Sequence, residues 1–244
     1  MPEHLSNLGE EQDGSGQALR ESPHHGFRGE RQAGASGVPA SLTVAVSRES
    51  GSRGGSIARR VGAKLGWQVY SQELLEYVAQ EGAHRQEILD NLSPAAAAWV
   101  DAQLDRLLRE QNLSQHPSLQ ALARMMLALG ATGEVVLVGR GAGYLLPRAA
   151  TLHVRIIAPL QDRVAYMSQW LRLTVDEAAE QVRLRDSRRA DFLSTHFHRQ
   201  PADAYQYDLL LNSSLLGEEL CAELIAQAAR GKLTNWSAVR CQSP

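Results

Sequence analysis

The chain has 244 residues, 43% of them hydrophobic and 21% charged, which is enough to bury a full core without disulfide or metal staples. The formal net charge of −2 argues against a dedicated nucleic-acid binder, and the two cysteines, Cys221 and Cys241, form neither a disulfide framework nor a metal-ligand pattern. No window holds the roughly 20 consecutive apolar residues of a membrane span, and the first residues lack the apolar core of a secretory signal. The expectation is a cytoplasmic protein with no membrane and no nucleic-acid partner.

Residues 1–40 are rich in Gly, Ser, Glu, Gln and Arg and carry one aromatic, Phe27. They offer too little apolar surface to offset the entropy of ordering, so a disordered tail is predicted. His24 and His25 within it have no further ligands at useful spacing and are read as solvated. The run Leu42–Val46 is apolar and β-branched, the pattern of a buried strand. A glycine-rich loop from Ser47 to Gly55 leads into a helix from Ser56 to Leu65, with Ile57, Val61 and Leu65 at helical spacing and Gly66 as its stop. Trp67–Tyr70 reads as a second strand, followed by a helix through Leu74, Leu75 and Val78.

From Arg85 to Gly130 there is no strand signal, and a helical insertion is predicted. Ser93-Pro94 supplies an N-cap and a first-position proline, and Leu104, Leu107 and Leu108 form the apolar stripe behind them. A further helix is expected from Pro117 to Leu129, ended by Gly130. Met125 and Met126 read as core. Val135–Val138 is the cleanest strand, and Gly139-Arg140-Gly141-Ala142-Gly143 follows it directly. Leu152–Ile157 is another strand, and Pro159 starts a helix. Thr174 and Glu177 form a capping box at the head of a long arginine-rich helix. Leu209–Leu211 is a last buried strand, Glu218–Ala229 an amphipathic closing helix, and 233–244 a C-terminal tail. Apolar strands alternating with helices indicate one α/β domain over 41–232, with a parallel sheet covered on both faces.

In open sheets of this kind ligands bind beyond the carboxyl ends of the strands. Two strands here end in glycine-rich loops. In the first, Ser47 to Ser56, glycines let amides turn inward and the helix start adds positive potential, a geometry suited to phosphate. The loop does not match G-x-x-x-x-G-K-[ST], because the leading glycine and the lysine are both absent. Arg53 offers a permanent, forked cation and Ser56 a hydroxyl where a metal or phosphate ligand is expected. Arg185, Arg188 and Arg189 share one side of their helix. By spacing alone they also fit a solvated basic face among Asp176, Glu177, Glu180 and Asp186. His196 and His198, two apart on a helix, face different ways and are not read as metal ligands; no metal-ligating residue is assigned. Arg148 and Arg155 stand open between acceptor-side cations and surface charges. Glu73 stands open between a sugar-hydroxyl ligand and a helix-start carboxylate.

The segments SRESGSRGGSIARRVGAKLGWQVYSQELL, VVLVGRGAGYLLP, LHVRIIAPLQDRV, RDSRRADF and YDLLLNSSLLGEEL cover most of residues 42–230 in order. Together they resemble the cytidylate kinase-like family, a branch of the P-loop nucleoside monophosphate kinases. The resemblance implies a P-loop NTPase fold, three-layer α/β/α with a central parallel sheet, a helical acceptor region at about 72–130 and a helical lid at about 174–200. It implies ATP and Mg²⁺ as cofactors and a small-molecule nucleotide as partner.

Gly51, Ser52 and Gly54 match the family's phosphate loop, which commonly reads Gly-Ser-Gly-Gly-Arg where this chain reads Gly-Ser-Arg-Gly-Gly. Arg140 resembles the arginine that holds the acceptor phosphate, and Gly141 stands where an aspartate follows it. Tyr70-Ser71 replaces a tyrosine-aspartate pair. Asp186 and Arg189 match the lid pattern, with Phe192 for a tyrosine. On this reading Gly51, Ser52, Arg53, Gly54, Gly55 and Ser56 cradle the donor phosphates, Arg140 binds the acceptor, and Arg185, Arg188 and Arg189 close catalytically over the transferring group. The expected activity is phosphotransfer from ATP to a nucleoside monophosphate of the CMP or dCMP kind. The alternative is a P-loop regulator that binds nucleotide and has lost the chemistry. The absent lysine, Gly141 and Ser71 favour it, since each lost charge-assisted bond to phosphate costs about 1.5–3 kcal/mol. A purely structural helical scaffold is disfavoured by the two glycine-arginine loops.

Overall fold

Five strands, β1 (Thr43–Arg48), β2 (Gln68–Tyr70), β3 (Val135–Val138), β4 (Thr151–Ile157) and β5 (Leu209–Asn212), form one parallel sheet in the order β2-β3-β1-β4-β5. The computed structural model describes residues 38–110 and 113–241, with side chains to residue 235. These residues all fall in one unit, Gly34–Pro244. The stretch 1–37 and the His24-His25 pair lie outside the described residues. The last three positions of the expected tail do not: Val38 packs against the core, and the Ala40 amide donates to the Ala131 carbonyl at 2.8 Å.

β1 sits at the centre, pairing with β3 and β4 from Thr43 onward. Its residues Thr43 to Val46 are fully covered, as expected for an apolar strand with helices on both faces. Val44, Val46, Val136, Val154 and Ile156 point to one side, where α1 (Gly54–Leu65) and α9 (Ser213–Cys241) supply Ile57, Val61, Ile225 and Ala229. Ala45 and Leu137 point to the other, against α2 (Gln72–Gln80), α4 (Pro94–Arg109) and α5 (Pro117–Thr132), which with α3 (Gly82–Asp90) make up the insertion between β2 and β3. The result is a three-layer α/β/α sandwich.

Several boundaries move. β1 runs on to Arg48, so Ser47 and Arg48, expected in the loop, are strand residues in register with Arg155 and Ile156. α1 begins at Gly54 rather than Ser56. Gly130 does not stop α5. It lies in the helix interior, where the Leu146 side chain packs so closely that a Cβ would collide, and the stop is Gly133 at φ 72°. After a short α6 (Ala142–Leu145), β4 leads to a hairpin of α7 (Leu160–Leu171) and α8 (Val175–Phe197). Thr174 opens α8 with the expected capping box, both halves of which form. α9 kinks at Gly217 and continues past Ala229 to Cys241, into the stretch read as a C-terminal tail. No helix among the described residues is long and apolar enough to cross a membrane.

Candidate functional site

A cavity of about 320 Å³ opens at the carboxyl ends of β1, β3 and β4, walled by Arg48, Gln72, Arg140, Tyr144, Arg155 and Arg189 among others. Arg48 closes β1. Its stem passes beneath Gly54, where a Cβ would lie 2.5 Å from Arg48 Cβ, and its guanidinium lies against Gly139. Arg48 Nη2 donates to Gln72 Oε1 at 2.8 Å. Burial pulls the Arg48 pKa down to about 9; Arg189 and Arg140 push the same way, against Glu73 and Asp186.

Gly139, Arg140 and Gly141 follow β3 with φ of 82°, 52° and 75°. Three successive left-handed residues account for the glycines on either side of the arginine. The Arg140 guanidinium pairs with Glu76 and lies 4.7 Å over the Phe192 ring. Its buried Nε has no hydrogen-bond partner among the described residues. Burial, then Arg189, lowers its pKa. From α8, Arg189 also reaches the cavity, with Nη1 donating to Asp186 Oδ1 at 3.2 Å. Burial depresses Arg189 as well, countered by Asp186 and reinforced by Arg185. Arg188 is exposed and Arg185 half-buried. Arg155 donates to Ser47 Oγ at 3.2 Å, lies 3.7 Å from Glu49, and crosses the Tyr207 ring at 5.6 Å.

The glycine loop borders this cavity through Ser47, Arg48 and Glu49, and residues 51–56 lie outside its wall. Gly51, at φ 81°, packs on Arg163, where a Cβ would lie 2.5 Å from the carbonyl oxygen. The Ser50 amide donates to Asp186 Oδ1 at 2.7 Å, and Arg163 Nη1 donates to Asp186 Oδ2 at 2.6 Å. A carboxylate from α8 thus rests on a loop amide. Ser52 is fully buried and donates to the Glu49 carbonyl at 2.9 Å, while Ser213 donates to the Ser52 carbonyl at 2.8 Å. Arg53, at φ 59°, is the left-handed residue before α1; its guanidinium stacks 5.0 Å over Tyr166 and lies 3.8 Å from Glu218. The Ser56 hydroxyl donates to Glu218. Gly54, Gly55 and Ser56 form the first turn of α1, whose leading amides have no partner within the helix.

The far wall is aromatic. His153 is buried, its Nδ1 3.0 Å from the Gln206 carbonyl, and burial pushes its pKa down to about 4. The ring stands edge-on to Tyr144 at 5.2 Å. The Tyr207 hydroxyl donates to the Pro201 carbonyl at 3.1 Å, so at 3.2 Å the Tyr144 hydroxyl donates to Tyr207. Burial opposes the charge of Glu73; its own amide and Ser71, then Arg48, nonetheless hold that carboxyl below its usual range. Arg148 is elsewhere, donating to the Tyr205 carbonyl at 3.4 Å. Among the described residues no group of three or more His, Cys, Asp or Glu is placed to hold a metal.

The sequence profile of the cytidylate kinase-like family matches residues 43–215, from β1 to the start of α9. The chain belongs to the cytidylate kinase-like family. A solved structure of an uncharacterized protein from Eubacterium ventriosum superimposes over 78% of this chain and 98% of its own, with a TM-score of 0.55 at 16% identity. A shikimate kinase from Bacteroides thetaiotaomicron is similar over 79% of this chain and 98% of its own, with a TM-score of 0.43 at 13% identity. Among curated proteins, a uronate isomerase from Corynebacterium glutamicum is 33% identical over 95 residues. That match spans 39% of this chain and only 18% of the relative.

One departure from the family pattern has a steric reason, and a second leaves its helix cap intact. At Gly141 a Cβ would lie 2.5 Å from the Phe197 ring, so the aspartate expected there has no room. Ser71 caps α2, accepting from the Leu74 amide at 3.2 Å, a task an aspartate also performs. Sequence reasoning passed over Arg48, Gln72 and Tyr144 and left Arg155 open. The available signal was a charged residue in the last half of a buried strand, which both Arg48 and Arg155 are.

Proposed function

We propose that this member of the cytidylate kinase-like family transfers the γ-phosphoryl group of ATP to a small acceptor that already carries a phosphate, of the CMP or dCMP type. The observation that supports this reading is the meeting of Arg140 and Arg189, from opposite sides, over one aromatic-walled cavity beside a glycine loop and a helix start. In such transfer the protein contributes positioning and charge stabilisation.

Arg140 would grip the acceptor phosphate, its partnerless Nε offering a donor and the Phe192 ring holding its plane. Tyr144 and Phe192 would flank the acceptor's ring. The amides of the loop from Gly51 to Ser56 would cradle the donor phosphates at the start of α1, with Arg53 and the Ser56 hydroxyl beside them. Arg189 would stabilise charge on the transferring group, with Arg185 and Arg188 brought closer by rotation of α8. The acceptor oxygen is anionic before reaction, so no general base is assigned. Ser56 and Glu218 would be the oxygen donors for Mg²⁺ carried in on nucleotide phosphates, once Glu218 gives up its pairing with Arg53 and Arg60. The ion would supply charge neutralisation of those phosphates.

The decisive assay incubates purified protein with ATP, Mg²⁺ and a panel of nucleoside monophosphates including CMP and dCMP, scoring ADP. Turnover that falls at least a hundred-fold in Arg140→Ala is expected, about 3 kcal/mol for a charge-assisted contact; turnover unchanged by that substitution removes the acceptor assignment. A second reading, a nucleotide-binding regulator without turnover, is favoured by the absent loop lysine and by the engagement of Ser50 and Ser56 with Asp186 and Glu218. Nucleotide binding in calorimetry without ADP formation would select it.

A further inference from the structure

The loop and Arg48 are related by a steric exclusion. Arg53 is the left-handed residue immediately before α1. Setting it on the second glycine of G-x-x-x-x-G-K-[ST] puts Gly54 at the lysine and Arg48 at the leading glycine. In that register all four fixed positions depart: arginines stand at both glycines, Arg48 and Arg53, and glycines at the lysine and at the hydroxyl residue, Gly54 and Gly55, and of these the lysine lost at 54 and the arginine gained at 48 lie side by side. A Cβ at position 54 would lie 2.5 Å from Arg48 Cβ and 2.9 Å from its Cγ. On this backbone a lysine at 54 and an arginine at 48 exclude one another.

The charge surroundings of Arg48 lead to the same place. Its guanidinium is walled in by Gly139 and lines the cavity, with the neutral Gln72 as its side-chain hydrogen-bond partner. Among the described residues it makes no ion pair. Arg189 and Arg140 face it closely enough to disfavour its charge, and burial disfavours it further, with Glu73 and Asp186 opposing in part. A cation held out of water beside two others costs stability unless an anion completes the set. The five donors of a guanidinium at that spot match phosphate oxygens.

We infer that Arg48 is a phosphate-binding residue, supplying from the end of β1 the cation that the loop lacks at Gly54. The inference rests on the phosphotransferase reading for the nature of the ligand, a phosphate-bearing nucleotide. Arg48 touches that ligand directly and reaches it from beneath the loop.

The test uses the full chain as wild type, Arg48→Gln and Arg48→Lys. Calorimetry with inorganic pyrophosphate and with ATP reads affinity; thermal unfolding without ligand reads stability. Arg48→Gln should bind pyrophosphate about 10- to 100-fold more weakly, the equivalent of one charge-assisted bond. Its ligand-free midpoint should equal or exceed that of wild type, because a buried cation has been removed. Arg48→Lys should fall between the two in affinity, keeping the charge without the fork, and serves as the readout if the glutamine variant does not fold. Unchanged pyrophosphate affinity in Arg48→Gln overturns the inference. So does a lowered ligand-free midpoint with affinity retained, which is the mark of a packing role. If wild type makes no ADP with any acceptor and Arg48→Gln still loses pyrophosphate, the phosphotransferase reading fails and the anion site stands. If ADP forms undiminished in Arg48→Gln, the reverse holds.

Discussion

His153 lies at the cavity wall with its Nδ1 facing a carbonyl, which only accepts, so Nδ1 carries a proton. Burial holds its pKa near 4 against the ordinary 6.5, the Gln206 carbonyl and Asp208 resisting. For a base depressed in the folded state, stability is fully present above pH 6.5 and is lost as pH falls toward 4, because the unfolded chain binds the proton first. At about 1.4 kcal/mol per pKa unit the loss over that window is about 3 kcal/mol. Urea unfolding at pH 7 and pH 4 should show it in wild type and not in His153→Gln, after subtraction of the carboxylate contribution common to both. Parallel losses would remove His153 as the cause. At this scale Arg140 was legible, because glycines on both sides of one arginine after an apolar strand announce a tight turn. Arg48 was not. A strand-end arginine and a loop arginine look alike until the ladder shows Arg48 paired with Ile156.

Between elements, the contact that matters most for the site is α6 against the end of α8. Gly141 caps α6 at φ 75° with Phe197 over it. Restoring the family's aspartate by Gly141→Asp should therefore lower stability by about 2 kcal/mol or more, from left-handed strain and the displaced ring together. It should not sharpen discrimination between CMP and other acceptors. Thermal unfolding and the acceptor panel check both halves; an equally stable, more selective variant would contradict the packing argument. Helix starts were readable at Ser93 and Thr174, where the capping chemistry is local. The end of α5 was not, because Gly130 is there to let Leu146 approach, and a tertiary contact leaves no mark on helical periodicity.

Across the molecule three apolar clusters share the described residues unequally. Two flank the sheet, and the third is a small core of Val164, Met167, Ala178 and Val182 inside the α7–α8 hairpin. Leu193 and Phe197, at the far end of the same α8, belong to a large cluster. Hydrogen exchange should thus split one helix into two behaviours, residues 176–184 exchanging about ten-fold or more faster than 190–197, with ATP slowing the fast half. Uniform protection along α8 would sink this. Parallel strands and two covered faces could be read from the alternation of apolar runs with helices. The order β2-β3-β1-β4-β5, and the bond from Ser50 to Asp186 across 136 positions, depend on how distant segments meet and are invisible to local pattern.

β1 is clasped on both edges as far as Val46, and its last residue, Arg48, is held in the ladder by Ile156 of β4. Arg48 stands on the sheet, whereas Arg189 stands on the α7–α8 hairpin, which has a small core of its own. Charge at the cavity is in this way divided between two separately built supports. A rotation of the hairpin would displace one pole and leave the other in place.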